Sequence, residues 1–282
     1  MSHIPAERCL GIIELLADGA AEMPLGEIAE RLALPKSGTH RLLATLVEQG
    51  WAEQDRDTGF YRLTMRLAVH GQRFYMALGV PDVCQPVLDR FAVACGEFAR
   101  LAVVDGNTLV WIAHAQGARG GLVYQPTETT GTVPLFATAT GKAWLSTKAP
   151  DEASEIVMRQ GGFDYADRYG PNVIRSIDGL MKELRATTKR GYGIAINEAE
   201  PGVTAIAAAI RSGGDGNVVG TVSIAGPTAR INDERMRTLG VLVVRCASEL
   251  SNLWPVRRKT APANGPATAR PRERVRRSVQ SA

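Results

Sequence analysis

The order of predicted elements in residues 1–63 restricts the fold more than any other feature of the sequence. Apolar residues at helical spacing predict helices over residues 6–17 and 25–32. A short segment then leads to Pro35, a residue that favours the first turn of a helix, and this third helix is predicted to end at Gly50. Two predicted strands follow, joined by a tight turn. Two helices connected by a short turn and followed by a β-hairpin are typical of a winged helix-turn-helix fold.

The predicted third helix carries a polar face that suits the major groove. From Arg31 to Val47 the chain contains three cations and no acid, although residues 1–80 together are net acidic. Short polar side chains early in such a helix can reach base edges, and Lys and Arg contact phosphates or guanine. We therefore expect contacts to double-stranded operator DNA from the helix and the hairpin, at Lys36, Ser37, His40, Arg41, Arg56 and Arg62. The alternative is a small helical domain whose polar face contacts only solvent.

The segment 64–81 is predicted to link two domains. Its apolar residues predict a helix over 64–78, which ends before Gly79, Val80 and Pro81. A single winged helix contacts too few base pairs for useful specificity, so we expect this helix to pair subunits. An amphipathic helix that packs on its own domain is the alternative.

Residues 82–254 alternate predicted helices and strands, which indicates an α/β domain around a sheet rich in antiparallel pairs. The strands are predicted at 97–104, 108–115, 122–125, 133–135, 194–197, 203–210 and 218–224. The helices are predicted at 86–94, 139–146, 152–159, 176–190 and 232–253. The fold class is therefore α/β (α+β), with an N-terminal winged helix-turn-helix and a C-terminal α/β domain.

The positive charge of the chain belongs to its C-terminal tail. The 282 residues carry a formal net charge of +4, yet residues 255–282 contain eight Lys or Arg and one acid. Residues 1–254 are therefore net acidic, and the total charge does not indicate what the folded part binds. The tail is rich in Pro, Ala and Arg, and we expect it to be disordered. It either adds salt-sensitive, sequence-independent attraction to DNA or only solubilises the chain.

Other classes of protein fit the sequence less well. No apolar run approaches the roughly 20 residues of a membrane span and the N-terminus lacks a signal peptide, so we expect a soluble, cytoplasmic protein. The four cysteines lack metal-ligand spacing, which favours buried thiols, and we expect no metal and no cofactor. An enzyme is a less favoured alternative, because the available acid–base groups form no readable nucleophile–base pair. These groups are Glu97, His114, Lys142, Glu198 and Glu200.

Several motifs in series resemble the IclR family of bacterial transcriptional regulators. The segment from Leu34 to Leu43 is similar to the family's recognition helix, and the segment from Thr132 to Ala143 is similar to its proline-to-GKA segment. Shorter matches lie between and after these two segments, in the same order as in the family, at 50, 61–63, 96–97, 190–192, 198–203 and 223–227. The resemblance covers nearly all of residues 7–253. Each motif alone is weakly specific, whereas the series is strongly specific.

The resemblance implies a winged helix on a GAF-like effector domain, assembled as a homodimer or homotetramer. A small metabolite bound in that domain would change the spacing of two DNA-reading domains. By alignment of the motifs, the implied effector-binding residues are Leu122, Val133, Ala139, Thr140, Ala195, Val203, Ala205, Ser223 and Ala225. Activators and repressors both occur in the family, so the sign of regulation stays open. A constitutive DNA-binding protein without a ligand is the alternative.

The recognition helix departs from the family's pattern at Gly38. Gly38 and Thr39 stand where the family usually has Thr and an aliphatic residue. Glycine inside a helix costs about 1 kcal/mol relative to alanine. We therefore expect Gly38 to allow the backbone close to DNA, with drift without function as the alternative.

The implied pocket departs from the family's pattern at three alanines. Ala205, Ala195 and Ala225 stand where members that bind very small keto acids carry a Cys, an acid and a second Ser. We therefore expect a roomier, less polar pocket whose effector is an aromatic or otherwise largely apolar carboxylate. Its anionic end is expected at the backbone N–H groups near Ala139 and Thr140, where a helix begins. Core packing without a ligand is the alternative for these alanines.

Overall fold

The computed structural model describes residues 4–18, 22–126, 131–213 and 216–254. The tail at 255–282, predicted to be disordered, lies outside these described residues. The described residues form a winged helix-turn-helix domain at the N-terminus and a C-terminal α/β domain, which confirms the predicted fold class. Within the described ranges, no helix combines the length and the hydropathy that crossing a membrane requires.

The N-terminal domain packs three helices against a two-stranded wing. The helices are α1 (Ile4–Ala17), α2 (Leu25–Arg31) and α3 (Lys36–Glu48), and the wing strands are β1 (Ala52–Gln54) and β2 (Tyr61–Leu63). The apolar sides of the helices meet in one small core, which includes Ile12, Leu16, Ile28, Leu43 and Leu46. Pro35 is the cap residue that precedes α3, so the helix begins at Lys36, one position after the start that the sequence predicts.

Helix α4 (Arg66–Ala77) leaves the wing and is fastened to it by its first turns. The Arg66 side chain donates a hydrogen bond to the Gln49 carbonyl, and its guanidinium lies 5.1 Å from the centre of the Trp51 ring. His70 stacks on the same ring, with 5.5 Å between the ring centres. No residue of α4 is buried, so most of its surface is free of contacts with its own chain.

The predicted boundary after α4 is helical rather than a simple linker. Gly79 adopts a φ of +70°, which glycine tolerates without strain, and residues Val80–Cys84 then form a π-helical turn that leads directly into α5 (Gln85–Cys95). Val80 and Cys84 are fully buried in the core of the C-terminal domain. The chain therefore enters that core earlier than the sequence indicates.

The C-terminal domain is built on a six-stranded antiparallel sheet with the order β5-β4-β3-β8-β7-β6. Its strands are β3 (Phe98–Asp105), β4 (Thr108–Gln116), β5 (Gly131–Thr132), β6 (Gly193–Ile196), β7 (Val203–Arg211) and β8 (Val218–Pro227). Helices α5 and α9 (Asp233–Leu253) cover one face. The other face carries α6 (Ala139–Leu145), α7 (Pro150–Arg159) and α8 (Ile177–Arg190). Both faces of the central strands are thus covered.

Two predicted short strands are absent, and both predictions were therefore wrong. Residues 122–125 follow a turn at Gly120 and Gly121, and the side-chain amide of Gln116 donates to the Tyr124 carbonyl, where a strand would have supplied a backbone donor. At 133–135 the ladder ends early because Pro134 has no N–H to donate. Strand β5 lies just upstream instead.

Candidate functional site

The outer side of α3 forms a polar surface. Helical spacing turns Thr39, Leu43 and Leu46 inward, where they are buried against the helical core. The opposite side presents the exposed residues Lys36, Ser37, His40 and Arg41, next to the partly exposed Gly38. The structure thus brings the five α3 residues that the sequence predicts for DNA binding onto one surface.

The turn between the wing strands places Arg56 at an exposed tip. The Asp55 carboxylate accepts hydrogen bonds from the backbone N–H groups of Asp57 and Thr58, at 2.9 and 2.8 Å, and from the Thr58 hydroxyl. These bonds favour the ionised carboxylate and lower the pKa of Asp55. Gly59 closes the turn with a φ of +71°. Arg56 is therefore presented on a well-defined turn.

Arg62 differs from the other predicted DNA-binding cations because its charge is already paired. Its guanidinium donates to Glu53 on the neighbouring strand, at 2.6 Å, and to Glu22 before α2. These carboxylates raise the pKa of Arg62. A cation held by two acids has less charge to offer a phosphate, so Arg62 is the weakest of the predicted contacts.

A cavity of about 440 Å³ opens between the sheet and the segments around α6. This volume falls within the range of roughly 300–1,000 Å³ that small-molecule sites occupy. Six of the nine residues predicted for effector binding line it: Ala139, Thr140, Val203, Ala205, Ser223 and Ala225. They come from α6, β7 and β8, so the fold gathers residues that lie as many as 86 positions apart in the sequence.

The other three predicted residues lie off the cavity wall. Leu122 is 65% exposed, and its carbonyl accepts a hydrogen bond from Arg230 at 2.6 Å. Val133 is buried in the core beneath α7 and α8. Ala195 is buried where α6 packs on the sheet, directly opposite Ala205 in the β6–β7 ladder.

Small residues let α6 sit close to the sheet and shape the floor of the cavity. Ala139, Ala143, Ala195 and Ala207 form a tight cluster between α6 and strands β6 and β7. At Gly193 a Cβ would lie 2.5 Å from the Ala139 carbonyl oxygen, so only glycine allows this approach. The floor next to this cluster is accordingly made of alanines and Ser223.

The walls also contain polar and aromatic residues that the sequence analysis does not assign to the cavity. They include Arg100, Trp111, Tyr124, Arg168, Tyr169 and Glu200. One signal could have revealed Arg100. It lies in a run, Phe98 to Val104, that is otherwise apolar, and a strand covered on both faces rarely holds a cation.

Arg100 lies on β3 with its side chain largely buried. Its guanidinium lies 4.0 Å from the centre of the Trp111 ring, and its neighbour across the β3–β8 ladder is Ser223. Burial lowers the pKa of Arg100, and the nearby Tyr124 and Glu200 oppose that shift. Arginine nevertheless stays protonated in proteins.

Two donors on the cavity residues lack acceptors. Arg100 Nε and Trp111 Nε1 are buried, and within the described part of the chain no group accepts a hydrogen bond from either. Arg100 also takes part in none of the ion pairs that the described residues form. Nearby, the Tyr124 hydroxyl donates to Glu200 Oε1 at 2.7 Å, and burial raises the pKa of Tyr124.

Two buried ion pairs hold the segments that border the cavity. Lys142 Nζ on α6 donates to both carboxylate oxygens of Glu198, at 2.6 Å each, just before Ala199 and Glu200 on the cavity wall. Arg230 pairs with the fully buried Glu97 at 2.7 Å while it holds the Leu122 carbonyl. Three of the groups that the sequence offered for acid–base chemistry are therefore engaged in ion pairs.

A winged helix joined to an α/β domain with a ligand-sized cavity defines a DNA-binding protein with a second, cavity-containing domain. Residues 73–252 match the family described as "Bacterial transcriptional regulator IclR C-terminal", and residues 5–56 match "IclR helix-turn-helix domain". The chain therefore belongs to the IclR family of bacterial transcriptional regulators, as its motifs predict, and it is a DNA-binding regulator of transcription.

Individual relatives agree with this assignment over most of the chain. The chain is 28% identical over 244 residues to the acetate operon repressor of Salmonella typhimurium strain LT2. The aligned residues cover 86% of this chain and 87% of that protein. An IclR transcriptional regulator from Alicyclobacillus acidocaldarius has a similar fold, with a TM-score of 0.74 at 21% identity over 90% of this chain and 99% of its own. An IclR homologue complexed with 4-hydroxybenzoate, from Microbacterium hydrocarbonoxydans, has a TM-score of 0.67 at 25% identity over 86% of this chain and 98% of its own.

Proposed function

We propose that a small organic acid bound in the C-terminal cavity changes the affinity of this regulator for its operator. The observation that carries the proposal is the cavity itself, which combines a floor of small residues with aromatic walls and one largely buried arginine. This lining suits an aromatic or otherwise largely apolar carboxylate better than a very small keto acid. The 4-hydroxybenzoate bound by the structural relative supports the same chemical class.

Coupling between the two domains requires only that the acid bind one arrangement of the DNA-reading domains better than another. Helix α4 provides a continuous connection for it. Its first turns are fastened to the wing through Trp51, and the π-helical turn that follows it ends inside the core of the C-terminal domain. A shift in that core can therefore change the direction in which α4 leaves it.

We also propose that the regulator acts as a homodimer or homotetramer. Helix α4 and the residue just before it expose apolar side chains. These are Met65 before the helix and Val69, Phe74 and Met76 within it. Exposed apolar side chains on a helix that buries none of its residues against its own chain are typical of a subunit interface, and paired winged helices read two half-sites. Sedimentation analysis of the full chain measures the assembly, and a monomer at the concentrations that bind operator would refute this part of the proposal.

The proposal is tested by gel-shift binding to the DNA upstream of the protein's own gene. The full chain is titrated with and without benzoate, 4-hydroxybenzoate, phenylacetate, octanoate, glyoxylate and pyruvate. Sequence-specific binding that changes with an aromatic or apolar acid supports the proposal. Binding that no acid alters favours a constitutive DNA-binding protein, and a response confined to glyoxylate or pyruvate contradicts the proposed effector class.

Arg41 provides a test of the proposed DNA surface. Arg41→Ala is expected to weaken operator binding by about 1–3 kcal/mol, the usual cost of losing one arginine contact to DNA. Binding of an acid in the distant C-terminal domain should be unchanged. Titration of labelled operator DNA at fixed salt measures the first quantity, and calorimetry measures the second.

The matched control for Arg41 is Arg159→Ala. Arg159 is an equally charged, exposed residue on α7, paired with Glu155 and far from α3 along the chain. The control should leave operator binding unchanged. If the two variants bound operator equally well, α3 would not be the recognition helix.

Gly38 provides a second test, because stability and DNA binding are expected to move in opposite directions. A Cβ at Gly38 would meet no atom within 4 Å in the free protein. Gly38→Ala should therefore raise the free energy of unfolding by about 0.5–1 kcal/mol, since alanine favours the helix. Operator affinity should fall, because the added methyl group would stand between the α3 backbone and DNA.

Gly11→Ala on α1 is the control for this variant, since a Cβ there makes only an ordinary contact, 3.8 Å from Leu32 Cδ2. It should stabilise the protein without the loss of operator affinity. Undiminished operator binding by Gly38→Ala would show that Gly38 has no role in close approach.

A further inference from the structure

We infer that Arg100 holds the carboxylate of the effector, with the indole N–H of Trp111 as a second donor and the apolar part of the acid among Trp111, Tyr124 and Tyr169. This inference rests on the proposed function only in taking the effector to be an acid. It assigns the anion to the middle of the sheet rather than to the start of α6, and it makes Arg100 the residue that selects acids over neutral analogues.

A cation at the position of Arg100 is costly without an anion beside it. Arg100 is largely buried, and none of the described carboxylates forms an ion pair with it. Removing a charge from water without an anionic partner is unfavourable, and the hydrogen bond to the Tyr124 side chain and the stacking on the Trp111 ring recover only part of the cost. The acid whose charge acts on Arg100, Glu200, is exposed and already accepts a hydrogen bond from the Tyr124 hydroxyl. A ligand carboxylate would supply the missing partner.

Two residues that line the same cavity each carry a buried donor to which no described residue offers an acceptor. Arg100 Nε and Trp111 Nε1 are both buried without an acceptor among the described residues, and both residues line the cavity. Buried donors are normally paired, because an unmade bond forfeits the full desolvation cost. A planar carboxylate has two acceptor oxygens, and a guanidinium can hold it through two parallel hydrogen bonds. The aromatic residues beside these donors favour an acid with an apolar, planar body.

The start of α6 is the competing location for the anion, and the structure favours it less. Helix α6 has only seven residues, and the Thr138 side chain already accepts the Gly141 N–H at its N-terminus. Arg168 is a second cation on the cavity wall, but it is exposed and lies over the Tyr165 ring at 4.5 Å. Arg100 is the more deeply buried of the two cations, so a hydrogen bond to it competes less with water and is worth more.

The test uses the full chain and three acids, each beside its primary amide: benzoate, phenylacetate and octanoate. Thermal shift and calorimetry should show that at least one acid binds the wild-type protein and that its amide binds far more weakly. Arg100→Met, which keeps an unbranched side chain that fills the aliphatic part of the site but removes the charge, should weaken binding of that acid about 100-fold. Arg100→Lys, which keeps the charge but loses the two-pronged geometry, should weaken it about 10-fold.

Two controls separate a binding role from a structural one. Arg168→Met removes a cation from the rim of the same cavity and should change acid affinity only slightly. Without ligand, Arg100→Met should melt at the temperature of the wild-type protein or above it, because a buried cation without an ion-pair partner has been removed. A structural arginine would instead lower the melting temperature of the ligand-free variant.

The inference is overturned if no acid binds better than its amide, or if Arg100→Met binds the acid as tightly as wild type does. It is also overturned if Arg168→Met, rather than Arg100→Met, abolishes binding. Gel shifts with the same acid test the proposed function separately from the inference about Arg100. An acid that binds through Arg100 but leaves operator affinity unchanged would refute the proposed function alone, whereas an unimpaired operator response in Arg100→Met would refute the inference alone.

Discussion

Replacing Lys142 with methionine is expected to lower the free energy of unfolding by about 3–5 kcal/mol, the usual cost of removing one partner of a buried ion pair. The Lys142 side chain is 1% exposed, and its ammonium group donates to both oxygens of Glu198 and to the Ile194 carbonyl. Methionine would keep the apolar contacts but leave Glu198, which is 12% exposed, without its cation. Urea unfolding of the two proteins measures the difference.

The loss should depend on pH, and Glu198 determines its sign. Burial raises the pKa of Glu198 above its ordinary value of 4.5, and Lys142 opposes this rise. Without Lys142 the pKa rises further, so the folded variant binds protons that the unfolded chain has released. Stability then falls as the pH rises from about 4.5 through the raised pKa. The variant should therefore be closest to wild type in acid and furthest from it at neutral pH.

Two further variants show whether the pair itself is responsible. Lys148→Met breaks an exposed pair with Glu152 and should cost only about 0.3–0.5 kcal/mol. The double variant Lys142→Met, Glu198→Met should recover most of the stability, because neither partner is then left charged in the interior. If Lys142→Met cost no more than Lys148→Met, the buried pair would contribute little and the wall around Glu200 would depend on other contacts.

The winged helix could be predicted from the sequence because its signals are local. In α3 the inward and outward residues follow directly from helical spacing, and Gly50 with its φ of +72° ends the preceding turn where the sequence indicates. The pairing state of Arg62 could not be predicted in this way. One of its two acids, Glu22, lies 40 residues away along the chain, and only the folded domain brings them together.

The cavity could be located only in part from the sequence, because its lining comes from segments that only the fold brings together. The alanines of β7 and β8 were placed by the resemblance to a family, and six of the nine predicted residues do line the cavity. Leu122, which the resemblance also implies for the pocket, lies off the cavity because Gly120 and Gly121 form a turn just before it, which leaves its side chain in solvent while its carbonyl accepts a hydrogen bond from Arg230. Arg100 was missed because its chemistry depends on Trp111, on the neighbouring strand, rather than on its own sequence neighbours.

The segment Gly141-Lys142-Ala143 shows what a motif leaves unexplained until the fold is known. In the sequence it only marks a family resemblance. In the structure Lys142 holds Glu198, Ala143 packs on the sheet beside Ala207, and Gly141 lies against the backbone of Leu135. Each residue therefore has a separate physical reason, and each reason involves a contact with a residue outside α6.

Gly141→Ala is the second substitution for which a large effect is expected, about 3 kcal/mol of lost stability from overpacking. A Cβ at Gly141 would lie 2.1 Å from the carbonyl oxygen of Leu135 and 2.4 Å from its Cα. These are backbone atoms, which cannot rotate away, so α6 or the segment before it must move. Pro134 and Thr138 in that segment line the cavity, so acid binding should be lost together with stability.

Gly38→Ala is the matched control, since it makes the same change inside a helix where the new Cβ meets nothing within 4 Å. Opposite signs are expected in urea unfolding, with Gly38→Ala stabilising and Gly141→Ala destabilising the chain. The winged helix has its own core, so Gly141→Ala should still bind operator DNA at temperatures where its C-terminal domain remains folded. If Gly141→Ala unfolded at the urea concentration of wild type and bound benzoate equally well, the close approach of α6 to Leu135 would not be what fixes the shape of the cavity.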